Sequence, residues 1–120
     1  MKKILIVDNS SYMRMFVKKI IEKGGFHNIL EAADKEDAIE RFKIEKPDIV
    51  ILDLNMSEST MDGIDVLTDI MKINPETVVI IMSAVKHENV KNECIALGAK
   101  SYLSKPFDTE ILLRTLEEYK

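Results

Sequence analysis

The sequence predicts an α/β fold, an open and doubly wound parallel sheet of five strands with five helices over its two faces. Two observations carry this. Short apolar runs alternate five times with stretches of helical periodicity along 120 residues. The first, third and fourth runs, KILIV, IVIL and TVVIIM, are rich in β-branched residues and apolar on both faces, a pattern that belongs to buried strands of a helix-covered parallel sheet. Right-handed crossovers between such strands place helices on both sides.

Taken in order, the predicted strands are Lys3 to Val7, Asn28 to Ala32, Ile49 to Leu52, Thr77 to Met82 and Ser101 to Leu103. The first helix follows a Ser10 or Ser11 cap, with Met13, Phe16, Val17, Ile20 and Ile21 on one face and Gly24-Gly25 as its stop. A second helix starts after Asp34, carries Ala38, Ile39 and Phe42, and ends before Pro47. Asp62 and Gly63 read as the cap and start of the third, which carries Ile64, Leu67, Ile70 and Met71 and closes at Asn74-Pro75. Val90, Ile95 and Leu97 before Gly98 mark the fourth, and Asp108 opens the fifth, which runs through Ile111, Leu112 and Leu116.

Composition bounds the rest. A chain of this length, 46% hydrophobic and 32% charged, is expected to be a single domain over residues 1–120 with no room for a second. It can bury about two-thirds of its unfolded surface and needs no disulfide or structural metal. Cys94 has no partner, and two histidines give no zinc-ligand spacing, which points to a reducing, cytoplasmic compartment. A net charge of −4 argues against nucleic acid or anionic lipid as a partner and points to proteins or cations. The opening MKKILIVDNS is too short a run for a signal peptide, and no stretch reaches the ~18 apolar residues of a membrane span.

In sheets of this type ligands bind beyond the carboxyl ends of the strands, where strand order reverses. Asp8-Asn9 follows the first run, Asp53 the third, Ser83-Ala84 the fourth and Lys105-Pro106 the fifth. A carboxylate directly after IVIL is costly unless a cation or hydrogen-bond donors meet it. Together the set suits phosphoryl chemistry: oxygen ligands for Mg²⁺, a carboxylate nucleophile, a hydroxyl donor and an ammonium for phosphoryl oxygens. Plainer roles are open to each residue. Asp53 or Asp8 would serve to cap the following turn, Ser83 to cap a helix, Lys105 as a solvated surface charge and Tyr102 as an edge-strand aromatic.

The pieces LIVDNSSYMRM, PDIVILDLNM, MDGID, VIIMSA and GAKSYLSKPF, with the final helix, resemble the receiver domains of two-component response regulators over essentially the whole chain. Among these the free-standing, chemotaxis-type receivers are the nearest in kind. The resemblance implies a flavodoxin-like strand order of 2-1-3-4-5. It implies Asp53 as phosphoacceptor, Asp8 as an acidic-pocket residue reaching Mg²⁺ through water, and Asn55 as donor of a backbone carbonyl to the metal. Ser83 matches the hydroxyl switch, Lys105 the phosphate-binding lysine, Tyr102 the rotating aromatic, and Lys105-Pro106 a cis peptide bond.

Two departures stand out. Asn9 occupies the place of a second metal-binding Asp, so Mg²⁺ binding should be weaker than usual. The stretch DLNMSESTMDG lacks the usual Pro and carries two extra residues among Ser57, Glu58, Ser59 and Thr60. The expected function is that of a monomeric phosphoacceptor switch, not a turnover enzyme. A sensor histidine kinase is its expected donor, and a separate protein, such as a flagellar or archaellar switch component or its adaptor, its target. The competing expectations are an interaction module that works without phosphate, and a phosphorelay carrier or phosphate sink.

Overall fold

A computed structural model describes residues 2–54, 61–84, 88–105 and 108–120. Five strands, β1 (Ile4–Val7), β2 (Ile29–Ala32), β3 (Ile49–Asp53), β4 (Val78–Ser83) and β5 (Ser101–Ser104), alternate with five helices. These are α1 (Ser11–Lys23), α2 (Lys35–Glu45), α3 (Met61–Ile73), α4 (Glu88–Ala96) and α5 (Thr109–Glu117). The sheet is wholly parallel in the order β2-β1-β3-β4-β5, as expected. No helix among the described residues is long and apolar enough to cross a membrane.

Strand alternation divides the core into two layers. Leu5, Val7, Val50, Leu52, Val79 and Ile81 point to one face, where Ala38 and Phe42 of α2, Val66, Leu67 and Ile70 of α3 and Cys94 of α4 cover them. Ile4, Ile6, Ile49, Ile51, Ile80 and Met82 point to the other, beneath Val17, Ile20 and Ile21 of α1 and Leu112 and Leu116 of α5. Every residue of β1 and β3 is buried, which is why their sequences are apolar without alternation. β2 and β5 lie at the edges, and their half-exposed positions account for their weaker patterns, NILEA and SYL.

The helix signals hold with four adjustments. Ser10 caps α1, its hydroxyl accepting from Met13 N–H, and Asp34 and Asp108 cap α2 and α5 in the same way. Phe16, Ile95 and Ile111, expected on buried faces, are instead exposed. On α4 the small Cys94 faces the core in place of Ile95, and burial lifts its thiol pKa to about 11, so it is an inert packing group. The third helix begins at Met61, so Asp62 and Gly63 lie inside its first turn and not before it.

Gly63 has a steric reason to be there. A Cβ at this position would sit 2.6 Å from Leu54 Cα and 2.9 Å from its carbonyl oxygen, so only glycine lets α3 start this close to the end of β3. Gly63→Ala should therefore cost about 2 kcal/mol. Gly24→Ala, whose Cβ would meet the movable Leu113 side chain, should cost less, and urea unfolding of the two variants checks the order.

Candidate functional site

β1 and β3 are the strands at which the chain direction across the sheet reverses, since β2 is added on one side and β4 on the other. Their register pairs Val7 with Leu52. The next residue on each strand is an aspartate, and both are almost fully buried, Asp8 at 1% and Asp53 at 2% exposure. β4 ends one strand away at Ser83, also buried. The Ser83 carbonyl accepts from Lys105 N–H at 2.8 Å, which ties the segment after β5 to the end of β4.

From that anchor the Lys105 side chain reaches inward over both aspartates. Its Nζ lies 3.0 Å from Asp53 Oδ1 and 3.9 Å from Asp8 Oδ2. Four residues distant in sequence are thus gathered at one end of the sheet: Asp8, Asp53, Ser83 and Lys105. Tyr102 lies outside the polar cluster. It pairs with Ile81 in the β4–β5 ladder and is half-buried against the layer that includes Val90 and Leu97, on the α4 side. Asn9 is exposed on the segment between β1 and α1. Asn55, Ser57 to Thr60 and the Lys105-Pro106 peptide bond lie outside the described residues.

Burial dominates the electrostatics of Asp8 and raises the pKa of its carboxyl. The hydrogen bond from Ser10 N–H to Asp8 Oδ1, 2.9 Å, opposes that shift, the nearby Asp53 carboxylate reinforces it, and the Lys105 ammonium opposes it again. Asp8 Oδ2 is buried and accepts no hydrogen bond among the described residues. A buried carboxylate oxygen left in this condition beside a second carboxylate is the donor set that a hard, oxygen-seeking cation requires. The residues therefore fit Mg²⁺. With Asn at position 9, no group of three acidic, His or Cys side chains comes together among the described residues, so the site offers few charged ligands.

The response regulator receiver domain model matches residues 4–117. This chain belongs to that family. It is 40% identical to the chemotaxis protein CheY of Thermotoga maritima over 117 residues, 98% of this chain and 96% of that protein. It is 36% identical to CheY of Bacillus subtilis, over 97% of this chain and 95% of that one. Among solved structures, a chain of the CheX–CheY–BeF3–Mg²⁺ complex from Borrelia burgdorferi superposes with a TM-score of 0.89 at 34% identity, covering 99% of this chain and 90% of that chain. The receiver thus works in two-component phosphorelay signalling. Receivers are signalling proteins that use Mg²⁺ for phosphorylation and act between a histidine kinase and downstream protein partners.

One further residue at this receiver's site, outside the set that the sequence singles out, is Arg14. Arg14 of α1 donates from Nη1 to the Asp8 carbonyl at 2.6 Å and from Nε to Glu31 Oε1 at 3.1 Å. The signal was there: Arg14 stands three and seven residues before buried Val17 and Ile21, on the helix face where a charge needs a partner.

The raised pKa of Asp8 has a definite sign. Between the ordinary value of 3.8 and its higher folded value, folding takes up a proton, so this stabilisation is present at low pH and is lost as pH rises through the folded pKa. Above the ordinary carboxylate range the buried Asp8 carboxyl is therefore a net cost to the metal-free receiver. Asp8→Asn should remove it, raising stability by about 1 kcal/mol and Tm by about 4 °C. Thermal unfolding of the metal-free protein from mildly acid to neutral pH checks both the rise and the flatter pH profile of the variant.

Proposed function

We propose that Asp53 is the phosphoacceptor of this receiver and that Lys105 and Ser83 serve the transferred group. The observation that carries the reading is the 3.0 Å ion pair from Lys105 Nζ to Asp53 Oδ1, inside a buried cluster that also holds Asp8. Asp53 would attack the phosphorus of a phosphohistidine on a sensor kinase. A carboxylate O–P bond forms, the P–N bond breaks, and the departing imidazole takes up a proton. Lys105 then meets the negative charge of the phosphoryl oxygens and the Ser83 hydroxyl donates to one of them. Asp8, Asp53, the Asn9 side chain and the Asn55 backbone carbonyl would hold Mg²⁺. When bound, the metal neutralises charge shared by the carboxylate and the phosphoryl group.

The output is protein binding. Ser83 and Lys105 are linked through the backbone, and Tyr102, two residues before Ser104 at the end of β5, packs on the α4 side. Movement of Ser83 toward a phosphoryl group would therefore alter the packing of Tyr102 and the surface formed by α4, β5 and α5. We read the chain as a monomeric, cytoplasmic, single-domain switch in chemotaxis or motility control, as the CheY relatives suggest. Its target would be a flagellar or archaellar switch component or adaptor. Its own phosphorylation and dephosphorylation are steps of signalling, not substrate turnover.

Incubation with Mg²⁺ and a small acyl phosphate, followed by intact-mass measurement, should add one phosphoryl group to wild type and none to Asp53→Asn. Absence of the adduct at high Mg²⁺ would favour a phosphate-independent interaction module. Asn9→Asp should bind Mg²⁺ several-fold more tightly, because it adds a charged oxygen ligand. Calorimetric Mg²⁺ titration measures this, and equal affinities would remove Asn9 as a cause of weak binding.

A further inference from the structure

We propose that Arg14, braced by Glu31, is a positioning residue for the metal-binding side of the site. It fixes the backbone on which Asp8 and Asn9 are carried. The inference rests on the reading of Asp8, Asn9 and Asp53 as the Mg²⁺ site.

The need for such a brace follows from the sheet. Asp8 N–H still donates to Ala32 O, at 3.1 Å, as the last rung between β1 and β2. β2 ends at Ala32, and Asp34 has already left the ladder to cap α2. The Asp8 carbonyl has thus passed the end of its neighbouring strand, at a depth where an unpaired backbone group is costly. The Arg14 guanidinium takes the place of the next N–H. Its fork reaches the carbonyl with Nη1 and Glu31 on β2 with Nε, so one planar group joins α1, the end of β1 and the edge strand.

The side chain is well suited to hold rather than to react. It is 16% exposed, and Glu31 balances its charge, so it adds little net repulsion toward a cation. With the Asp8 carbonyl held, Ser10 N–H bonds Asp8 Oδ1 and Ser10 Oγ caps α1 through Met13 N–H. That sequence of bonds leaves Asp8 Oδ2 as the remaining oxygen, turned toward Lys105. Groups that orient metal ligands in this way commonly govern affinity although they never touch the metal. A lysine at position 14 has one ammonium and cannot span both acceptors with a fixed geometry.

The test uses the whole chain and Mg²⁺ alone, with no phosphodonor. Calorimetry should find the Mg²⁺ dissociation constant of Arg14→Gln raised by about tenfold, and that of Glu31→Gln raised by less. Amide exchange at Ser10 should quicken in both. Ile21→Val, which thins the core beneath α1, should lower Tm and leave Mg²⁺ affinity unchanged, separating a positioning role from loss of stability. If Arg14→Gln does not fold, Glu31→Gln and Arg14→Lys decide the matter by the same two readouts. Mg²⁺ binding by wild type and by the folded variants within about twofold of one another overturns the inference alone. Failure of wild type to bind Mg²⁺ overturns the site reading and the inference with it.

Discussion

The structure depends on the burial of two carboxylates side by side at the end of a parallel sheet. Asp8 and Asp53 follow Val7 and Leu52, which are paired in register on adjacent, fully buried strands. Two anions in such a place repel each other and lose hydration, and one ammonium from the far end of the sheet stands against that cost. Two buried carboxylates facing one ammonium are what the proposed cation and phosphoryl group would be drawn to. Stability and signalling compete for the same few side chains, which is the usual relation between a scaffold and its site.

The remainder of the fold keeps those carboxylates where they are. A shift of one residue between β1 and β3 would exchange the two core layers, moving Leu5 and Val7 under α1 and Ile4 and Ile6 under α2. Register is thus enforced by every apolar side chain on the central strands. Gly63 brings α3 close against Leu54, directly after the phosphoacceptor candidate. On the opposite flank Arg14 closes the gap left where β2 stops short of β1. Backbone contacts, and not only side chains, thus hold Asp8 and Leu54 on the two flanks of the site.

The chain resembles CheY proteins across nearly their whole lengths, and its own sheet gathers two aspartates and a lysine at one end. If Asn9 lies among the Mg²⁺ ligands, as proposed, its neutral amide adds no charge to the pocket, which would limit repulsion in the absence of metal and reduce the pull on a divalent ion in its presence. A switch tuned in this way would respond to the supply of Mg²⁺ as well as to its kinase.

Much of this was legible in the residues alone. Unbroken apolar runs marked β1, β3 and β4 as interior strands, and the caps Ser10, Asp34 and Asp108 marked three helix starts, because local hydrogen bonding and burial leave direct traces in sequence. Asp53 was conspicuous for the same reason: a charge after IVIL must be met by something. Where apolar residues are plentiful on a helix, periodicity does not decide which of them face inward: Phe16, Ile95 and Ile111 turn out while Val17, Cys94 and Leu112 turn in. The convergence of Lys105 on Asp53, 52 residues away, and the bracing of Asp8 by Arg14 and Glu31 were decided by tertiary structure. Hydrophobic periodicity reports whether a residue is inside, whereas the partner of a buried charge depends on which strands and helices come to lie side by side.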